Sequence, residues 1–342
     1  MILRFYGSSL VLFVILLLAS CRDESEITKN PETNFWISKA KFPAGSLTES
    51  VSFTIGKNLY VGTGLNGNVN ADLNNNYINK FYVYNIDEDA WKEIASLPSD
   101  KRSSAISFSI GSYGYVGLGI NCLGSGNCAY SSFNDLWRYD PANDSWDKMA
   151  DFPGAHSGYE TAFVIGDMAY IVDGQSIGDN DTWEYNTISN EWNKKSSYPG
   201  LCSSRAVSFS LDGLGYVGFG WGGGSFTCDE FWEYDPIGDT WIQKQDFPGK
   251  ARYDASAFSM MGKGYLACGV YQESSDQKYL NDIWVYDNVN DRWTQINTSY
   301  PGKGRVNLIG GVIENRLILG LGSDNSFGRP YYGFDDVWEY LP

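Results

Sequence analysis

The sequence predicts an all-β protein, a six-bladed β-propeller whose last blade is closed by the N-terminal strand. Three observations predict it. A frame made of an aromatic residue, a Tyr two positions on and a Trp nine positions on recurs along the 342 residues. The composition, with 12 Trp, 24 Tyr and 38 Gly, suits short strands, tight turns and broad ring packing better than helices. The period between copies, 46 to 55 residues, is that of propeller blades and not of helical solenoids.

Six copies begin at Tyr82, Trp137, Trp183, Trp232, Trp284 and Trp338, and in the first five Trp91, Trp146, Trp192, Trp241 and Trp293 complete the frame. An aromatic or Leu before Pro follows at Phe42, Leu97, Phe152, Tyr198, Phe247 and Tyr300. Eleven residues further stand Phe53, Phe108, Phe163, Phe209, Phe258 and, as an exception, Gly311. Next come Tyr60, Tyr115, Tyr170, Tyr216 and Tyr265, with Ile318 in the last copy, and then a Gly in every copy, from Gly64 to Gly322. Each copy therefore holds four strand-like runs, named a to d from the axis outward. In the fourth they are "RAVSFS", "LGYVGFG", "DEFWEYD" and "TWIQKQ", with "DPIGDT" as the Asp, Pro and Gly turn between c and d. Alternation within "SFS" and "WEY" places bulky rings between blades and small residues at the tight centre. The sixth copy stops at "VWEYLP"; its missing Trp is Trp36, so residues 35–39 are expected to supply strand d of blade six and leave no open edge.

Ahead of the repeats, residues 1–20 carry Arg4, the apolar run Leu10 to Leu18 and small residues before Cys21, the pattern of an export signal. The run is too short to cross a bilayer of about 30 Å as a helix. "LASC" resembles the bacterial lipoprotein signal, which implies that Cys21 becomes the lipidated first residue. The following "RDESE" resembles the short surface-export signal of some bacterial lipoproteins, with a solvated tether as the plain alternative. Residues 21–33 are expected to form a flexible leash and residues 34–342 the propeller. The expected location is the bacterial outer membrane, periplasmic or surface-exposed, with membrane contact only through the lipid. A formal charge of −16 without basic clusters excludes nucleic acid as a partner.

With its recurring Gly after strand b and its Tyr, acidic residue and Trp around strands c and d, the chain resembles the kelch-repeat family over residues 34–342. The family's Gly pair is here Gly-x-Gly, as in "VGTG" and "VGLG". The resemblance implies six blades and extends distantly to galactose oxidase and the N-acetylneuraminate epimerases. Galactose oxidase chemistry needs two His ligands, and this chain has one His. No metal site and no cofactor is expected: "ADLNNN" lacks the Gly and terminal Glu of a calcium loop.

Nearly all length variation falls in the b-to-c connection, which shares a face with the d-to-a segments, so the long-loop face is the expected functional surface. On that face Arg102, Arg252 and Arg305 occupy one offset, five residues after Leu97, Phe247 and Tyr300, and His156 and Arg205 lie nearby. Equal offsets in a closed ring suggest guanidinium groups aimed at a common axis, an anion site for carboxylate or sulfate. The alternative is a scaffold role, bonding carbonyls or Glu49, Glu160 and Asp254. Cys122 with Cys128, and Cys202 with Cys228, are expected to pair as disulfides in an oxidising compartment, leaving Cys268 buried and free. The expected function is a monomeric binder of a glycan, possibly acidic, or of an extracellular protein. The enzymatic alternative is a sugar epimerase or mutarotase, for which "GSDNSFGRPYYG" offers Asp324 and Arg329. A purely architectural envelope subunit is the third class.

Overall fold

The computed structural model describes residues 27–29, 35–67, 76–123, 129–155, 158–174, 180–222, 226–273, 276–324 and 333–342. Every regular element among them is a β-strand. Six antiparallel sheets form the blades, and blade four is typical, with strands a to d at Val207–Leu211, Leu214–Gly218, Phe231–Asp235 and Thr240–Gln243 in that order. The a strands of consecutive blades adjoin, and Ile309–Ile313 of blade six meets Val51–Ile55 of blade one, closing the ring. Closure of the last sheet is as the sequence predicts: Phe35–Ser38 pairs with Val337–Leu341, with Trp36 opposite Tyr340.

The pleat explains the composition. Phe and Tyr of strands a and b stand directly opposite one another and stack, at 5.0 Å for Phe53 and Tyr60, 4.9 Å for Phe108 and Tyr115 and 5.3 Å for Phe209 and Tyr216. Those Tyr rings then meet the next blade, Tyr60 reaching Tyr139 and Tyr216 reaching Tyr286 at 5.6 Å. Small residues do face the axis. Ser52, Ser107 and Ser208 use the room to donate across blades, to the carbonyls of Gly310, Ser52 and Ala162 at 2.8–2.9 Å.

The recurring frame is an interblade latch. Its Tyr hydroxyl donates to an Asp or Asn five residues on, as Tyr84 does to Asp89 and Tyr234 to Asp239, both at 2.7 Å. The same carboxylate accepts the backbone N–H of the previous blade's exit, from Ala40 and Ser196, and the Trp Nε1 donates to the carbonyl of that residue, at 2.9 Å for Trp91 and 3.0 Å for Trp241. One frame therefore satisfies both backbone groups where a chain leaves one blade for the next.

One segment differs from expectation. Within the leash, Ile27–Lys29 pairs with the outer edge of Phe35–Ser38, giving blade six a fifth strand. The edge of the closing strand still offers unpaired backbone groups, and a β-branched stretch in reach can take them. The signal segment and Cys21 lie outside the described residues.

Candidate functional site at the channel mouth

The long-loop face is built where d-to-a segments cross the start of the b-to-c connections. Bridges join Ser103 to Ile120, Ser204 to Trp221, Tyr253 to Val270 and Val306 to Ser323. The recurring Gly after strand b permits this crossing. Gly64, Gly119 and Gly220 have φ of 84° to 100°, and a Cβ on them would stand 2.6–2.8 Å from the carbonyl oxygens of Thr48, Ser103 and Ser204. Two connections rise from the face as β-ribbons, Ile120–Leu123 with Ala129–Ser132 and Val270–Glu273 with Asp276–Tyr279.

Arg102, Arg252 and Arg305 do not reach a common axis. Their exposures are 0%, 0% and 1%, and each guanidinium makes at least four hydrogen bonds inside its own blade. Arg252 forks onto Asp282 at 2.6 and 2.9 Å and donates to the carbonyls of Cys268 and Lys250 at 2.9 and 3.0 Å. Arg102 with Asp135, and Arg305 with Asp336, repeat that geometry. Each Asp also accepts the indole N–H two residues on, from Trp137, Trp284 and Trp338. Burial raises the Asp135 carboxyl, but its bonds to Arg102, Ser99 and Trp137 overcome that and lower it to about 2. The expected anion cluster is therefore not assembled: three of its arginines rivet the d-to-a segment onto the b-to-c connection. Blade four has Ser203 at the arginine position, and there the Cys202–Cys228 disulfide ties the same two segments. Cys268 is free and buried, and burial pushes its thiol up to about 12. His156, Arg329, Cys128 and the side chain of Cys122 lie outside the described residues.

The mouth is instead ringed by the residues two positions further along: Glu49, Ser104, Tyr159, Arg205, Asp254 and Asn307. All six have left-handed backbones, φ 50° to 70°, and N–H groups of Ser104, Arg205, Asp254 and Asn307 bond the carbonyl of the preceding member at 3.0–3.2 Å. Because even Ser and Asn adopt this conformation, it belongs to the ring and is not the mark of one reactive residue. One position inward, Glu160 is the charged member of a set otherwise made of Ser50, Ala105, Ala206, Ala255 and Leu308. The cavity they enclose is about 160 Å³ and opens onto the central channel of about 660 Å³, whose walls are the six a strands.

The charge in the mouth is mixed and predominantly acidic. Arg205 bonds Asp254 at 2.6 Å and lies 3.9 Å over the Tyr159 ring. Burial opposes its charge, yet Asp254, then Tyr159 and Glu49, keep its proton held more tightly than usual. Burial raises the Asp254 carboxyl, Arg205 pulls it back and Glu49 pushes it up, leaving it above the ordinary carboxylate range. Glu49 stands on blade one, across the ring from blade four, so charges are felt across the opening. Glu49 also accepts from the hydroxyls of Ser103 and Ser104 at 2.8 and 3.0 Å, and Glu160 accepts the Gly158 N–H at 2.9 Å. Three carboxylates and one guanidinium thus line a concave site with Tyr159. Asp324 is on the same face, two residues past Gly322, but does not line this cavity.

Among solved structures, the chain is similar to one titled "Structure of YjhT", at TM-score 0.70 and 15% identity, covering 87% of this chain and 96% of that one. The fold is a six-bladed β-propeller. At that identity the likeness carries the fold alone. No protein-family model matches the sequence, and no curated protein matches it.

Sequence reasoning missed the mouth ring, whose one signal is an offset shared by residues of unlike type. Its members stand seven residues after Phe42, Leu97, Phe152, Tyr198, Phe247 and Tyr300, whereas the offset of five selects the rivets. Residues two apart on an extended segment share a side of it; the left-handed turn at the seventh position breaks that rule and carries it to the axis.

Proposed function

We propose that this protein is a lipid-anchored, kelch-type propeller of the cell envelope that binds a glycan at the mouth of its channel on the long-loop face. The observation that carries the reading is the mouth itself, where Glu49, Glu160, Asp254, Arg205 and Tyr159 converge on a cavity of about 160 Å³. Small-molecule sites are concave, with a few convergent polar groups beside apolar or aromatic surface. Carboxylates accept from sugar hydroxyls, and three of them disfavour an acidic ligand, so the ligand is a neutral saccharide. An array of neutral and acidic oligosaccharides tests this. Neutral compounds are expected to bind, and Glu160→Gln to weaken them about tenfold, the loss of one charge-assisted hydrogen bond. Binding confined to acidic glycans, or indifference to Glu160→Gln, overturns the placement.

The epimerase alternative is favoured by one observation: a carboxylate and a guanidinium, Glu160 and Arg205, line the same cavity. A carboxylate can take a proton from a sugar carbon while a fixed guanidinium stabilises the negative charge that develops. Turnover of a free sugar that disappears in Glu160→Gln would establish it in place of binding alone.

The anchor rests on "LASC" ahead of Cys21. In cells, Cys21→Ser is expected to shift the protein from the membrane to the soluble fraction. Retention in the membrane would remove the lipid from the proposal.

A further inference from the structure

The blades repeat each position of the long-loop face, so a residue that departs from its equivalents stands out against them. Just past the recurring Gly, next to the mouth, stand Leu65, Ile120, Trp221, Val270 and Ser323, with the blade-three equivalent outside the described residues. Leu65, Ile120, Val270 and Ser323 are buried, at 0% to 3% exposure. Trp221 is the largest of them and is partly exposed. Its backbone N–H donates to the carbonyl of Ser204 at 2.8 Å, so Trp221 springs from a bridge to the segment one residue before Arg205 of the mouth.

Its surroundings are a fixed aromatic ledge. Trp221 and Tyr279 pack against buried Tyr253, Val270 and Val306. The ledge is held by hydrogen bonds from Gln277 to the Tyr253 hydroxyl at 2.7 Å and from the Tyr279 hydroxyl to Gln277 at 2.8 Å. Phe226, 49% exposed, belongs to the same blade-four loop, where Gly222 donates to its carbonyl at 3.0 Å. The Cys202–Cys228 disulfide ties that loop to the segment bearing Arg205. Tyr253 directly precedes Asp254 of the mouth, so the ledge adjoins the segment that lines the cavity between blades four and five without itself lining it.

We propose that this ledge is a second saccharide subsite, with Trp221 the platform on which the sugar next to the mouth-bound unit stacks. The inference rests on the glycan reading above and deepens it. The cavity of about 160 Å³ lies between the long-loop rim and the central channel of about 660 Å³. A chain bound by its end in the cavity places its following unit across the rim, which is the arrangement the ledge would serve. Trp and Tyr there present an apolar face to the C–H side of a pyranose. The ligand class is thus the terminus of a neutral oligosaccharide of at least two units.

The test uses the full-length mature protein, neutral oligosaccharides that bind on an array, and the methyl glycosides of their terminal sugars. Trp221→Leu retains apolar packing on Tyr253 and Val306 and removes the flat ring. It is expected to weaken the oligosaccharide about tenfold, of the order of one interface anchor, and to leave the methyl glycoside within about twofold. Equal weakening of both ligands, or of neither, with an unchanged melting temperature overturns the subsite while the mouth site stands. If Trp221→Leu lowers the melting temperature, Phe226→Ala, at an exposed ring, provides the same comparison, and an unchanged ratio in that variant overturns the proposal. Absence of any neutral ligand in the wild type overturns the mouth reading and the subsite together.

Discussion

Deleting residues 34–42 is expected to lower the melting temperature by many degrees and to convert much of the protein from monomer to aggregate. The segment contains the whole of Phe35–Ser38, which caps the sheet of blade six through four residue pairs with Val337–Leu341. Trp36 within it is 2% exposed and packs on Tyr340 and Tyr300 at 4.9 and 5.5 Å, while Phe42 packs on Tyr82 and Trp91 at 4.9 and 5.1 Å. Without it the edge of "DDVWEYLP" is left as an open row of backbone groups, and blade one loses one of its aromatic neighbours. The point variant Trp36→Ala separates burial from edge exposure, and truncating so large a core side chain costs about 3 to 5 kcal/mol. Thermal unfolding with light scattering checks both; a deletion variant with the wild-type melting temperature and monomer fraction would show that blade six is closed by some other means.

Arg252→Ala is expected to destabilise the protein by about 3 kcal/mol, because it empties a fully buried site and leaves the half-buried Asp282 carboxylate without its partner. The double variant Arg252→Met with Asp282→Leu is expected to recover much of that loss, since removing both charges also removes both desolvation costs. If Arg252→Ala folds with wild-type stability, the guanidinium is not a rivet and its place in ligand binding must be reopened. The equivalent pair in blade two adds a pH dependence. Asp135 is lowered from 3.8 to about 2 in the folded protein, so the unfolded chain binds its proton first as acid is added. The contribution, about 2 kcal/mol, is complete above pH 4 and is lost as pH falls through 2. Denaturant melts between pH 5 and 2 should flatten in Asp135→Asn, which starts less stable and has less to lose.

The exchange of chemistry between blades shows how one mechanical task is met by different residues. Blades two, five and six join the d-to-a segment to the b-to-c connection with an Arg forked on Asp, and blade four uses Cys202–Cys228. The covalent version is available only in an oxidising compartment. The repair lies beside the ledge of Trp221 and Phe226, where fixing the loop also fixes the face on which a ligand would rest.

The amino-acid sequence by itself determined the number of blades, the four strands in each, the closure by Trp36 and the face on which loops vary. These follow from local rules: alternation fixes which side of a strand is buried, and a repeat in register fixes how many sheets must stack before none has an exposed face. The Cys202–Cys228 pairing was legible for the same reason, since both positions fall on crossing segments of one blade. Only the tertiary structure decided where the arginines point. Offsets locate a residue along the chain, but Arg102, Arg252 and Arg305 turn back into their blades because a half-buried Asp-x-Trp partner awaits each. Arg205, two positions further in the repeat, is carried to the mouth by a backbone φ of 57° that no periodicity of side-chain type announces. Whether a guanidinium is a ligand site or a rivet depends on groups more than 25 residues away in sequence, such as Asp135 for Arg102 and Asp282 for Arg252, and only folding brings those together.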